Sequence, residues 1–117
     1  IGDLYKTEAF ELCRYINRDK EIIPWHTINK PPSAELRPDQ KDTDSLPDYP
    51  VLDAILYQYV ELSKSAEEII EQGYDEVVVN KVVKMVYRND FKRFQLAPVL
   101  AISPKPFAMR EMPIVKK

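Results

Sequence analysis

Apolar residues recur at three- and four-residue intervals in four stretches of the chain, and this spacing predicts four α-helices. The predicted helices cover residues 7–17, 51–61, 65–73 and 75 to 90 or 92. Thr7 is predicted as the N-cap of the first helix, and Ser65 with Glu68 predicts a capping box for the third. Gly73 stands where a helix C-terminal stop is expected. The chain should therefore be mainly α-helical, with Val99–Ile102 as a short strand or extended edge.

A proline-rich run from Pro24 to Pro50 separates the first two helices and has neither helical nor strand periodicity. It contains six of the ten prolines and no glycine. A flexible linker would favour Gly and Ser, whereas proline fixes φ and removes a backbone donor. A structureless segment of this length is usually a binding loop, a lid or a linker. The composition therefore predicts an irregular but shaped lid.

Charge is unevenly distributed along the 117 residues, although the net charge is only −2. Residues 1–80 carry 8 basic and 17 acidic side chains, net −9, while residues 81–117 carry 9 basic and 2 acidic side chains, net +7. Such a split can indicate an anion-facing basic end. The simpler interpretation is a solvated helix face followed by a basic tail, and charge alone favours it.

Several classes of protein are disfavoured by what the sequence lacks. No apolar run approaches the roughly 20 residues of a membrane span, and no charged-then-apolar leader is present, so a cytoplasmic protein is expected. The first residue is Ile1 rather than methionine, which suggests further sequence upstream. Cys13 and His26 are the only residues of their types, so neither a disulfide nor a zinc site is predicted. Cys13 is expected to be a small buried apolar residue.

A nucleic-acid module is one candidate function, because the third and fourth helices with the turn at Gly73–Tyr74 have the outline of a helix-turn-helix. A recognition helix presents polar and basic residues at its N-terminal end. Here that end is Asp75–Asn80, which is acidic and apolar and would repel phosphate. This function is therefore disfavoured. A helical interaction module with a proline-rich docking loop is the other alternative.

Part of a nucleotide-using enzyme, with the lid closing over phosphates, is a further candidate. Basic residues and one hydroxyl form the candidate anion contacts: Lys6, Lys30, Ser33, Arg37, Lys92 and Arg93. Lys6 adjoins the start of the first helix, where helix N-termini bind phosphate readily. The chain has no glycine-rich phosphate cradle. Such an enzyme would therefore need sequence outside these residues.

Four motifs occur in order and together resemble the C-terminal part of the NAD synthase family. They are Gly2–Glu8 (GDLYKTE), Lys30–Leu36 (KPPSAEL), Asp42–Pro47 and Arg88–Arg93 (RNDFKR). The resemblance implies part of a doubly wound α/β nucleotide-binding domain that forms dimers. It divides the chain into a helix after a missing strand (1–19), a lid loop (20–50), a helical end (51–92) and an extended tail (93–117).

The resemblance implies an ATP-dependent ligase. ATP adenylates the nicotinate carboxylate of deamido-NAD, and ammonia then displaces AMP to give NAD. The phosphate loop of the family and its Mg²⁺ carboxylates are expected upstream, so this chain should hold no catalytic residue and no metal ligand. It should be inactive alone, with its lid irregular and mobile. Neither nucleic acid nor membrane is an expected partner.

The same resemblance assigns substrate contacts to four residues. Lys6 matches the family lysine that contacts ATP phosphates, and Ser33 matches the Ser or Thr of the lid that contacts ATP. Phe91 and Lys92 match a pair that contacts deamido-NAD, in which Phe91 replaces a common histidine and loses its hydrogen bond. Two further positions resemble supporting residues, namely Asp3 and Asp90.

The tail from Ser103 to Ile114 resembles the ending of glutamine-dependent members. Those members usually have alanine for Pro106 and two arginines where Arg110 and Glu111 stand. This likeness implies that glutamine supplies the ammonia through a separate domain upstream. Glu111 removes one basic position from the usual pattern.

Overall fold

The computed structural model describes residues 1–104 of the chain. Within them the chain is helical and has no strand. Its α-helices are α1 (Lys6–Ile16), α2 (Trp25–Asn29), α3 (Tyr49–Leu56), α4 (Ala66–Glu71) and α5 (Glu76–Asn89). A π-helical turn follows α3 at Tyr57–Glu61, and 3₁₀ turns occupy Asp42–Asp44 and Asp90–Gln95. The described residues form two compact units: one is residues 5–53, and the other is residues 1–4 together with those from residue 54 to residue 104. The prediction of a mainly helical chain is confirmed. The described residues contain no strand, so they do not show the doubly wound sheet that the resemblance implies for the whole domain.

In the unit of residues 5–53, α1 begins at Lys6, so the predicted N-cap at Thr7 is wrong. Tyr5 holds the N-cap position, and the Glu8 carboxylate accepts a hydrogen bond from its backbone N–H at 2.9 Å. The Thr7 N–H donates to Asp53 instead, at 2.8 Å. Thr7 is thus a hydrogen-bond donor in the first turn of α1 and not the capping acceptor that was predicted, and its acceptor is a carboxylate 46 residues away.

The end of α1 is held by the buried side chain of Asn17. Its Oδ1 accepts from the N–H groups of Ile22 and Ile23 at 3.0 and 2.9 Å, and its Nδ2 donates to the Ile23 carbonyl at 2.7 Å. A buried amide that satisfies three groups in this way fixes the path of the chain after the helix. Cys13, which was predicted to be buried, is only half-buried on α1.

The run from Pro24 to Pro50 is less irregular than predicted, because it contains α2 and the 3₁₀ turn at Asp42–Asp44. Pro24 is the N-cap of α2, the Glu21 carboxylate accepts from the Trp25 N–H at 3.1 Å, and Ile28 is buried. A helix of five residues is too short to show a period of 3.6 in sequence, which explains the error. Residues 30–41 do lack regular structure, as predicted.

The predicted helix over residues 51–61 starts in the unit of residues 5–53 and ends in the other unit, and it is not continuous. The α-helix starts earlier, at Tyr49, and changes to π-helical geometry after Leu56. The predictions for α4 and α5 are confirmed. Ser65 and Glu68 form the capping box, Gly73 has φ +98°, and the Asp75 carboxylate accepts from the Val78 N–H at 2.9 Å. Among the described residues from 54 onward, the largest fully buried side chains are those of Ile55, Ile69, Val79 and Val82.

The segment at Val99–Ile102 forms no strand and is held by a side chain instead. The buried Asp3 carboxylate accepts hydrogen bonds from the N–H groups of Ile102 and Ser103 at 2.8 and 2.7 Å. A Cβ on Gly2 would lie 3.0 Å from a Val99 methyl, so the two chain segments approach closely. The resemblance noted for the tail falls almost entirely outside the described residues. None of the helices described here is both long enough and apolar enough to span a membrane.

Candidate functional site

Lys6 presents its ammonium group at the first turn of α1. The side chain is exposed, and its Nζ lies 5.8 Å from the ring centroid of Phe10 and 5.9 Å from that of Tyr49. An ammonium at this distance from an aromatic ring is attracted by the ring's negative face. Within residues 1–104 no salt bridge joins Lys6 to a carboxylate. Its position is therefore restrained while its charge is left available to an anion.

The N-terminus of α1, by contrast, is already occupied by the chain's own carboxylates. Asp53 is buried and bonds the Thr7 N–H, and Glu8 bonds the Tyr5 N–H. A carboxylate at a helix N-terminus satisfies free N–H groups and complements the helix dipole. The sequence suggested that phosphate would bind at this helix end beside Lys6. Because carboxylates already bond the N–H groups of Tyr5 and Thr7 there, an incoming anion would contact the Lys6 side chain instead.

Tyr49 links the surroundings of Lys6 to the proline-rich loop. Its hydroxyl donates a 2.5 Å hydrogen bond to the Asp42 carboxylate. Burial first, and then the hydrogen bond and charge of Asp42 and the charge of Asp53, raise the pKa of Tyr49 well above its ordinary value. The Asp42 N–H in turn donates to the Pro32 carbonyl at 2.9 Å. Pro32 directly precedes Ser33, so the loop is tied to α3 next to that residue.

Ser33 itself is half-buried and closes a local turn. Its hydroxyl accepts a 3.0 Å hydrogen bond from the Glu35 N–H. Glu35 also pairs with Lys30, and the hydrogen bond from Lys30, followed by its charge, lowers the pKa of the Glu35 carboxyl. The Gln40 side chain accepts from the Leu36 N–H at 3.0 Å. These local bonds shape residues 30–41 in the absence of regular structure.

Two concave regions adjoin these residues in the unit of residues 5–53. One, of about 800 Å³, lies within the loop from Lys30 to Lys41 and includes Ser33 and Arg37 in its lining. The other, of about 500 Å³, is bordered by Thr7, Phe10, Pro32 and Tyr49. The second groove brings α1, the loop and α3 together beside the rings that flank Lys6. Both are open clefts into which part of a larger ligand could extend.

Phe91 and Lys92 lie on the 3₁₀ turn that follows α5, in the other unit. Phe91 is 55% exposed and Lys92 is exposed as well. An aromatic ring left in solvent beside a cation is suited to contact a flat, anionic ligand. The four predicted contacts are thus divided between the units, with Lys6 and Ser33 in one and Phe91 and Lys92 in the other. Of the two supporting positions, Asp3 holds the segment at Ile102–Ser103, and Asp90 begins the 3₁₀ turn.

Two residues of this site, Tyr49 and Asp53, were not singled out in the sequence, and Asp42 was named only as the first residue of the motif Asp42–Pro47. A signal for one of them was present. Asp53 stands between Leu52 and Ile55 on the apolar face of a predicted helix, and a carboxylate placed there needs a partner when buried. Tyr49 and Asp42 gave no such signal, because their hydrogen bond depends on how the loop returns to α3.

No group of three or more His, Cys, Asp or Glu side chains suited to a metal ion occurs in residues 1–104. The carboxylates near Lys6 are instead used by protein donors. Asp53 bonds a backbone N–H, and Asp42 bonds the Tyr49 hydroxyl. Within the described residues, these carboxylates therefore already have protein partners.

Comparison with known proteins places this geometry in context. The sequence model of the family described as NAD synthase matches residues 1–96. The chain is 53% identical to the glutamine-dependent NAD(+) synthetase of Acinetobacter baylyi, across 98% of this chain and 22% of that protein. It is 49% identical to the glutamine-dependent NAD(+) synthetase of a Synechocystis species, across 99% of this chain and 21% of that protein.

A solved structure is also similar to this chain. The glutamine-dependent NAD+ synthetase of Acinetobacter baumannii, in complex with adenosine diphosphate, aligns with a TM-score of 0.53 and 38% identity. The alignment covers 92% of this chain and 18% of that protein. The chain thus spans about a fifth of the length of the relatives it matches.

Proposed function

Because the chain belongs to the NAD synthase family, we propose that it is the C-terminal part of an enzyme that converts deamido-NAD to NAD. In this proposal the chain provides a lid and substrate contacts, while the catalytic centre belongs to the remainder of the parent protein. The family match over residues 1–96 is the observation that carries the proposal. The complex of the Acinetobacter baumannii relative with ADP supports nucleotide binding in such an enzyme.

The proposed reaction has two steps. A carboxylate oxygen of deamido-NAD attacks the α-phosphorus of ATP, and the bond to pyrophosphate breaks. Ammonia then attacks the adenylated carbonyl carbon, AMP leaves with the electron pair of the C–O bond, and the nitrogen releases one proton, so that a carboxamide remains. Glutamine supplies the ammonia, as the names of the relatives suggest. The resemblance implies that the Mg²⁺ carboxylates of the parent enzyme lie upstream of this chain, and the proposal assigns no metal ligand to the residues described here.

Lys6 and Ser33 are the proposed ATP contacts. A fixed cation next to the phosphates stabilises the charge that develops on pyrophosphate as it leaves. The exposed ammonium of Lys6, restrained by Phe10 and Tyr49, supports this role. Ser33 adds a hydroxyl from the loop, whose anchor at Pro32 supports a stable approach to the nucleotide.

Phe91 and Lys92 are the proposed contacts for deamido-NAD. Their exposure on the turn after α5 leaves both side chains available to a ligand. Lys92 would pair with an anionic group of the dinucleotide, and the Phe91 ring would cover a flat surface. The family matches do not favour the alternatives, an interaction module with a docking loop or a helix-turn-helix.

The full-length parent enzyme tests the proposal. It is incubated with ATP and deamido-NAD, and with either ammonium or glutamine, while NAD formation is followed by chromatography. We expect NAD with both nitrogen donors and none when ATP is omitted. The isolated 117-residue chain is expected to form no NAD. Absence of NAD with both donors would contradict the proposed function.

A further inference from the structure

Tyr49 contacts the surroundings of both proposed ATP contacts. Its ring lies 5.9 Å from the Lys6 ammonium, and its hydroxyl donates to Asp42 at 2.5 Å. The Asp42 N–H donates to the carbonyl of Pro32, directly before Ser33. We propose that Tyr49 is a positioning residue that couples the Ser33 loop to Lys6, so that both meet ATP together. The inference rests on the proposed function of the chain.

The ring of Tyr49 acts on Lys6 without neutralising it. The ammonium lies between two ring contacts, to Phe10 and to Tyr49, and no salt bridge competes for it within the described residues. A carboxylate partner would have to be displaced by each incoming phosphate. Aromatic rings restrain the direction of a cation yet leave its hydrogen-bond donors free. The arrangement therefore holds the lysine ready for an anion.

The hydroxyl of Tyr49 acts on the loop. A hydroxyl that donates to a carboxylate makes a short, charge-assisted hydrogen bond, and this one attaches Asp42 to α3. Asp42 begins the 3₁₀ turn at Asp42–Asp44, and its own N–H holds the backbone of Pro32. Removing the hydroxyl would release this attachment without removing either of the residues proposed to contact ATP, Lys6 and Ser33.

Removal of the hydroxyl alone is therefore the central test, made in the full-length enzyme. Tyr49→Phe keeps the ring beside Lys6 and loses the bond to Asp42, whereas Tyr49→Leu loses both. Tyr57→Phe is the matched control, since that tyrosine is 45% exposed on the π-helical turn. We expect Tyr49→Phe to raise the KM for ATP about 3- to 10-fold, the usual effect of one hydrogen bond. Its kcat and its KM for deamido-NAD should stay at wild-type values, and Tyr57→Phe should match wild type throughout.

Coupling through Ser33 is tested by a double variant. If Tyr49 acts on ATP through the loop, Ser33→Ala removes the contact that Tyr49 positions. The Ser33→Ala/Tyr49→Phe enzyme should then have the same KM for ATP as Ser33→Ala alone. Independent residues would multiply their effects. If the KM for ATP of the double variant rises by the product of the two single effects, the coupling is overturned. An unchanged KM for ATP in Tyr49→Phe would overturn it as well. A lower unfolding temperature together with equal changes in all kinetic constants would assign Tyr49 a purely structural role and overturn it too.

Limited trypsin digestion gives a readout independent of activity. Lys30 and Arg37 both precede prolines, which blocks trypsin, so the loop is cleaved after Lys41. We expect Tyr49→Phe to be cut after Lys41 at least 3-fold faster than wild type, and Tyr57→Phe at the wild-type rate. Equal rates in all three proteins would overturn the attachment of the loop. If wild type forms no NAD, the proposed function fails, while this digestion still decides whether Tyr49 holds the loop.

Discussion

The buried carboxylate of Asp53 accepts a 2.8 Å hydrogen bond from the backbone N–H of Thr7 and so closes the first turn of α1 from α3. The first N–H groups of a helix have no partner within it, and a negative charge there also complements the helix dipole. Glu8 satisfies a further N–H, that of Tyr5. Because the chain's own carboxylates fill this helix end, the proposed phosphate contact falls to the Lys6 side chain.

Replacing Asp53 by alanine should destabilise the start of α1. The change leaves the Thr7 N–H without its acceptor and should cost about 1–2 kcal/mol, as for loss of a helix cap. Urea unfolding of the full-length enzyme measures the effect. Asp19→Ala is the control, because its side chain is 82% exposed in a surface ion pair, and such pairs contribute about 0–1 kcal/mol. Equal midpoints for the two variants would contradict the importance of this bond.

Replacing Lys6 by glutamine should reduce kcat/KM for ATP about 100-fold, because a fixed charge at the leaving pyrophosphate is lost. Lys6→Arg should recover part of the activity, since it restores the charge with a different donor geometry. Steady-state kinetics at saturating deamido-NAD measures both. Lys81→Gln, an exposed lysine on α5, should behave as wild type. A wild-type value for Lys6→Gln would remove Lys6 from the ATP site.

Ser33→Ala should raise the KM for ATP about 5- to 10-fold, because hydrogen bonds of the Ser33 hydroxyl are lost. The loss has two sources, the proposed ATP contact and the bond that Ser33 accepts from the Glu35 N–H. Ser33→Thr retains the hydroxyl and should remain near wild type. The KM for deamido-NAD should not change in either variant. If the ATP requirement of Ser33→Ala equals that of wild type, Ser33 does not contact the nucleotide.

Lys92→Met should raise the KM for deamido-NAD about 10-fold and leave the KM for ATP unchanged. A charge-assisted hydrogen bond to the dinucleotide is lost, while the aliphatic length is retained. Lys84→Met provides the control on the exposed side of α5. Phe91→His would add a hydrogen-bonding group and should lower the KM for deamido-NAD. A larger effect of Lys92→Met on ATP than on deamido-NAD would reverse the assignment of this pair.

Stability should depend on the protonation of Tyr49 at high pH. Burial, the hydrogen bond to Asp42, and the charges of Asp42 and Asp53 raise the pKa of Tyr49 above its ordinary value of 10.0. The nearby ammonium of Lys6 acts in the opposite direction, because a positive charge favours the ionised hydroxyl. A raised pKa means that the stabilisation is complete below about pH 10. It is lost progressively as the pH rises toward the pKa of the folded state.

Unfolding temperatures of wild type and Tyr49→Phe at pH 8, 9, 10 and 11 measure this effect in the full-length enzyme. The difference between the two proteins should be constant up to about pH 10 and should shrink above it. Tyr57→Phe should follow wild type at each pH. A difference that stays constant to pH 11 would show that Tyr49 does not contribute through its protonated hydroxyl.

Local signals predicted the later helices well and the earlier region less well. The Ser65–Glu68 capping box and the stop at Gly73 lie within a few residues of the groups they satisfy, so their interactions can be recognised in sequence. The error at Thr7 has the opposite cause, because the acceptor for its N–H lies 46 residues away. The helix at Trp25–Asn29 was missed because it is too short to show periodicity, and it depends on the burial of Ile28.

The amino-acid sequence was sufficient to predict the helical character of the chain, the capping box of α4, the start of α5 and the four motifs that resemble one family. These features rest on interactions between neighbours along the chain, or on residue order alone. The three-dimensional structure was needed to show that Tyr49 contacts both Lys6 and Asp42, and that Asp53 accepts a hydrogen bond at the start of α1. Those contacts join distant residues, and they depend on the path of the loop and the direction of each side chain. Such contacts depend on how the chain packs, and local patterns in the sequence do not reveal them.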